Sequence, residues 1–93
     1  MDANLKAKWV EALRSGDFKQ TTEGYFKHGK SFCCLGVLCV VAGEPPVLEE
    51  NKSGNWLFVD NEAGLSDVSM RLASMNDDGA SFADLADYIE TNL

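Results

Sequence analysis

Leu5, Trp9, Ala12 and Leu13 recur at i, i+4, i+7 and i+8, the spacing that lines one face of an α-helix. Asp2 or Asn4 is placed to cap the start of that helix, and Ser15-Gly16 to end it. Lys6, Lys8, Glu11 and Arg14 fall on its other faces, so Trp9 is expected as a core anchor. From Ser31 to Gly43 almost every position is apolar: Ser31-Phe32-Cys33-Cys34-Leu35-Gly36-Val37-Leu38-Cys39-Val40-Val41-Ala42-Gly43. Ser31 suits an N-cap, Gly43 a left-handed stop, and Pro45-Pro46 bars continuation, which predicts a buried central helix. Val37, Val40 and Val41 would also suit a strand. An all-apolar run has no period to separate the two, so the caps and the length decide.

The stretch from Asp17 to Lys30 breaks into short polar and aromatic pieces, Phe18-Lys19-Gln20-Thr21 and Gly24-Tyr25-Phe26-Lys27, which predict a small hairpin. Phe18 and one of Tyr25 or Phe26 would point inward, leaving Lys19, Lys27, His28 and Lys30 in or beside the loops. Residues Glu44 to Asn55 have the composition of an exposed loop. Trp56-Leu57-Phe58-Val59 has the character of a strand ended by Asp60-Asn61-Glu62, able to pair with the hairpin in an antiparallel sheet. Ser66 would cap a helix with a Val68, Leu72 and Met75 stripe, and Asn76-Asp77-Asp78-Gly79 reads as a turn. Ser81 and Asp84 have capping-box spacing, and Phe82, Leu85, Ala86 and Ile89 mark the buried face of a last helix, packed on the one before it as an αα-hairpin. The expected architecture is a single α+β domain over residues 1–93, with about four helices around a central buried helix and a small antiparallel sheet.

Charge changes this picture. The net charge of -7 is segregated: residues 1–30 carry +2 and residues 31–93 carry -9. So acidic a chain is repelled by nucleic acid overall, while its basic segment can still gather anions locally. If the last two helices formed a helix-turn-helix, the reading helix would carry Asp84, Asp87 and Glu90, which phosphates repel. No apolar run reaches the ~18 residues of a membrane span, and no secretory signal opens the chain, so no membrane partner and a cytoplasmic location are expected. The three cysteines, all inside the apolar run, make a poor disulfide framework and fit reduced packing thiols.

Three chemistries can be drawn from the residues. Cys33 and Cys34 at a helix N-terminus, with His28 upstream, would have lowered thiol pKa and could form a Cys/His nucleophile, although no oriented base or oxyanion donors can be placed; no catalytic residue is therefore assigned. Cys33, Cys34, Cys39 and His28 lack the paired spacing of a zinc site, and the acidic turns lack the alternating ligands of a calcium loop, so no metal or cofactor is expected. An anion site is the strongest of the three: Lys19, Gln20, Tyr25, Lys27, His28 and Lys30 lead into the free N–H groups at the start of the central helix, with Tyr25, Phe26 or Trp56 available to stack on a base.

Trp9-Val10-Glu11-Ala12-Leu13-Arg14-Ser15-Gly16 with Gln20, then Phe32-Cys33-Cys34-Leu35-Gly36-Val37-Leu38-Cys39, then Met75 to Glu90 together resemble a group of small phage-encoded proteins. The resemblance implies an accessory role in infection, such as antagonism of host defence, and assigns no site residue. With the residue reading, it leads to the expectation of a non-enzymatic sponge in the host cytoplasm that sequesters a small anionic, nucleotide-like signal. The alternative is an acidic inhibitor that binds a host defence protein directly; a Cys/His hydrolase comes third. Because one small domain offers little concave surface, a homo-oligomer is expected to complete the pocket.

Overall fold

The computed structural model describes residues 1–22, 26–43 and 56–93. Helix α1 runs Ala3–Ser15. Asp2 caps it, its carboxylate accepting the Leu5 N–H at 2.8 Å, and Gly16 ends it with φ 81°, in the left-handed conformation that glycine adopts without strain. Three two-residue strands follow, β1 (Lys19–Gln20), β2 (Lys27–His28) and β3 (Ser31–Phe32), in the order β1-β3-β2. The hairpin does not join the two pieces that the sequence suggests: β1 and β2 are not neighbours, and it is β2 that turns back onto β3 through Gly29-Lys30, with Gly29 at φ 63°, where the tight two-residue turn requires glycine. β1 instead lies parallel to β3, so the sheet is mixed and not antiparallel throughout.

Helix α2 (Cys34–Val41) is the buried central helix that the apolar run predicts, but it starts two residues later than the Ser31 cap implies. Ser31 and Phe32 are used in β3. Cys33 caps the helix, its Sγ accepting the Gly36 N–H at 3.4 Å. Every residue from Cys33 to Cys39 is buried. The hairpin can sit directly on α2 because Gly36 has no side chain: a Cβ there would collide with the Phe26 carbonyl oxygen, which also accepts the Cys33 N–H at 3.1 Å.

The expected loop over residues 44–55 lies outside the described residues. The expected strand at Trp56-Leu57-Phe58-Val59 is not one: residues 56–57 are helical and Phe58–Glu62 form a π-helical turn. Val59, Ala63 and Leu65 supply its buried side, and the Ala63 N–H reaches back five residues to the Phe58 carbonyl at 3.0 Å. A four-residue aromatic and β-branched run is too short to reveal its own period.

Helix α3 (Ser69–Asp77) begins after Ser66 without a side-chain cap and extends through Asn76, so the predicted turn shrinks to Asp78-Gly79. Helix α4 (Phe82–Asn92) is capped as expected, Ser81 Oγ accepting the Asp84 N–H at 3.1 Å, and buries Phe82, Leu85, Ala86 and Ile89. Its principal packing partner is α1; its contact with α3 is less extensive than an αα-hairpin would give. Around α2 the core gathers Trp9, Leu13, Val59, Leu65, Leu72, Leu85 and Ile89, all nearly inaccessible to solvent, and the Trp9 indole donates to the Cys34 carbonyl at 2.8 Å. The fold is α+β.

Candidate functional site

The sheet register decides which of the cations meet. Lys19 and His28 both stand opposite Ser31, on its two sides, and Gln20 and Lys27 both stand opposite Phe32. Side chains in register share a face of the sheet, and neighbours along a strand point to opposite faces. One face therefore carries the row Lys19, Ser31, His28, and the other carries Gln20, Phe32, Lys27.

In the first row Lys19 and His28 are exposed and flank a half-buried Ser31, with exposed Lys30 in the adjoining turn. At about 4.8 Å per strand, Lys19 and His28 are roughly 10 Å apart at the backbone, within reach of one anion from both sides. The Ser31 hydroxyl between them is a hydrogen-bond donor for the same anion.

The second row belongs to the interior and its edge. Gln20 donates through Nε2 to Asn76 Oδ1 at 2.9 Å and to the Ala80 carbonyl at 2.7 Å, so its amide nitrogen holds the fold together and does not face a ligand. Lys27 reaches over the Phe32 ring, Nζ 5.9 Å from its centre, and Phe32 meets Phe18 edge-on with centroids 5.3 Å apart. Tyr25 lies outside the described residues. Of the other two stacking candidates, Phe26 is buried and Trp56 packs edge-on against it at 5.1 Å.

The start of α2 is closed to ligands. Cys34, Leu35 and Gly36 are buried; the Cys34 N–H donates to Asn76 Oδ1 at 3.2 Å and the Gly36 N–H to Cys33 Sγ. The expected contribution of free helix N–H groups is thus corrected: an internal side chain already takes the place of an anion. Asn76, with no exposed surface, also donates to the Thr21 carbonyl at 2.8 Å and to Asp77 Oδ1 at 3.2 Å. Asn76 thus joins α3, the sheet and the start of α2. The sequence reading placed it in a turn, and its only trace there is its position four residues after Leu72, on the buried stripe.

The thiols show the opposite of activation. Burial pushes the Cys33 thiol up from an ordinary 9.0 to about 11, against the lowering effect of the Gly36 N–H, and burial pushes Cys34 well above 9.0. The Cys34 thiol donates to the Leu72 carbonyl at 3.7 Å. Among the described residues no group of three or more His, Cys, Asp or Glu is arranged to hold a metal ion, and no helix is long and apolar enough to cross a membrane.

The acidic face of α4 is partly spoken for. Arg14 reaches from α1 to Asp87 at 2.6 Å and to Glu90 at 2.9 Å, and the guanidinium bonds hold the Glu90 carboxyl below its ordinary pKa. Asp84 stays exposed, its backbone N–H engaged in the cap.

Residues 1–44, just under half of the chain, match a domain of unknown function (DUF8296). The matched part contains α1, the sheet with Lys19, Lys27, His28 and Lys30 in or beside it, and α2; Asn76 and the helices that close the core lie beyond it. No curated protein and no solved structure matches the chain.

Proposed function

We propose that this protein is a non-catalytic binding protein that holds a small anionic, nucleotide-like ligand on the outer row of its sheet, at Lys19, Ser31 and His28 with Lys30 beside them. The observation that carries this reading is the register: a lysine and a histidine, both exposed, flank one hydroxyl in a single row, in a chain whose other charges are mostly negative. The local field attracts an anion, and the hydroxyl gives it a directed hydrogen bond. Buried, protonated thiols argue against the Cys/His hydrolase. The resemblance to small phage-encoded proteins supplies the setting, in which the ligand is a host defence signal and the protein its sponge.

Direct capture of a host protein through Asp84, Asp87 and Glu90 is the weaker reading, because Arg14 already pairs with two of the three carboxylates. Calorimetry against cyclic di- and trinucleotides and ADP-ribose derivatives, with mass analysis of ligand released by heat, tests the choice. Saturable binding with the ligand recovered intact is expected. No binding across the panel, or recovery of a cleaved product, overturns the sponge.

A further inference from the structure

The two ends of the outer row are held to Ser31 by different means. His28 is tied to it by a tight turn, so its place follows from the local chain. Lys19 meets Ser31 through the parallel register of β1 on β3, a ladder of two residues with no turn to join them. Parallel pairing is the less stable kind per residue, so a ladder this short fixes a strand weakly. The side chain next to Lys19 supplies the rest. Gln20 points to the opposite face of the sheet, where its Nε2 donates to Asn76 Oδ1 at 2.9 Å and to the Ala80 carbonyl at 2.7 Å. Asn76 donates in turn to the Thr21 carbonyl at 2.8 Å, and the Thr21 N–H donates to the Phe32 carbonyl at 2.9 Å. Gln20 is half-buried and Asn76 has no exposed surface, so these bonds are shielded from competing water.

We propose that Gln20 is the positioning residue of the anion row: by anchoring β1 to Asn76 and Ala80 it holds Lys19 opposite Ser31. The role rests on the reading of that row as the ligand site. Gln20 itself touches no ligand, because its amide nitrogen is engaged on the inner face. A lysine on an unanchored strand keeps its charge but loses part of its binding free energy to ordering the strand. The anchor acts on one end of the row alone. His28 and Lys30 belong to the hairpin, which is held by its own turn and by the Cys33 N–H donating to the Phe26 carbonyl at 3.1 Å. Asn76 and Ala80 come from the other end of the chain than Lys19, Ser31, His28 and Lys30. The later helices thus set the spacing of a row to which they contribute no cation.

The test is a double-variant cycle on phosphate binding, followed by NMR at constant ionic strength with the fold of each variant checked by circular dichroism. Inorganic phosphate is the probe because it carries the anionic group that nucleotides share. Gln20→Met keeps the length of the side chain and loses its donors. It should weaken phosphate binding by up to about fivefold, the loss expected of Lys19→Ala, since each removes the contribution of one hydrogen bond from Lys19 to the anion. The two together should bind no worse than Lys19→Ala alone, because an anchor for Lys19 has no effect once Lys19 is gone. Combined with Lys30→Ala, the Gln20→Met loss should appear in full. A merely structural role for Gln20 would weaken binding alike in every background. Amide exchange in the native chain gives a reading that needs no variant: the Gln20 side-chain hydrogens and the Thr21 N–H should exchange through one common opening, and saturating phosphate should slow both more than it slows the Cys33 N–H. Native-like phosphate binding by folded Gln20→Met, a full Gln20→Met loss in the Lys19→Ala background, or independent exchange of the Gln20 and Thr21 hydrogens overturns the positioning role and leaves the anion row standing. A native chain in which phosphate shifts none of the Lys19, Ser31 and His28 resonances overturns the row itself, and the role of Gln20 with it.

Discussion

Asn76 is where one side chain carries the most structure. Both of its amide hydrogens and both acceptor positions of its oxygen are used, by Thr21, Asp77, Gln20 and the Cys34 N–H. Asn76→Ala leaves the buried Cys34 N–H without its acceptor, at ~1–3 kcal/mol for an unsatisfied group, and removes the bonds that Asn76 makes to the Thr21 carbonyl and Gln20. We expect a loss of about 2–4 kcal/mol in urea unfolding, a large part of the stability of so small a domain. The cysteines give a prediction with a definite sign. Cys33 and Cys34 are held protonated in the folded chain, whereas in the unfolded chain they ionise near 9.0. Stability that is complete below pH 9 should therefore fall as pH rises from about 9 toward 11, with each thiol contributing up to about 1.4 kcal/mol per pH unit. Urea midpoints across that range measure it, and iodoacetamide at pH 7.5 should label these thiols only after unfolding. Rapid labelling of the folded protein would show a thiolate that burial does not allow.

At the scale of elements, the alternation of a strand separates residues that the sequence places side by side. Lys27 and His28 are adjacent in the chain and on opposite faces of the sheet, whereas Lys19 and His28, nine positions apart, share a face through β3. Lys19→Glu and Lys30→Glu should therefore weaken anion binding at least tenfold, and Lys27→Glu should change it by no more than about threefold, through the long-range field alone. Equal losses from Lys27→Glu and Lys19→Glu in calorimetry would place the ligand off the outer row. The same scale explains the segment after residue 55. Val59, Ala63 and Leu65 are buried, and Ser69 Oγ donates to Asp60 at 2.7 Å, tying the π-helical turn to the start of α3. Those partners lie beyond the four residues that suggest a strand.

Across the whole molecule the charges sort by surface. The basic row lies on the sheet, while Asp84, Asp87 and Glu90 lie on α4. An anion approaching the sheet meets Lys19, Lys30 and His28, with the α4 acids on another element.

The sequence by itself determined the elements whose signals are local. Asp2 and Gly16 bound α1, Ser81 starts α4, the apolar run makes α2, and Phe82, Leu85, Ala86 and Ile89 name a buried face, because a cap, a left-handed stop or a 3.6-residue period is written within one element. The α+β class followed from their order. Only the tertiary structure decided what depends on meetings between distant parts of the chain. Ser31 reads as a cap until β1 and β2 claim it for a sheet, and Cys33 then inherits the helix start. Gln20 reads as a ligand residue and Asn76 as a turn residue, because a polar side chain looks the same in sequence whether it faces water or a buried amide. The pairing of Lys19 with His28 across Ser31 rests on a parallel register between strands about ten residues apart, and no spacing along the chain encodes that contact.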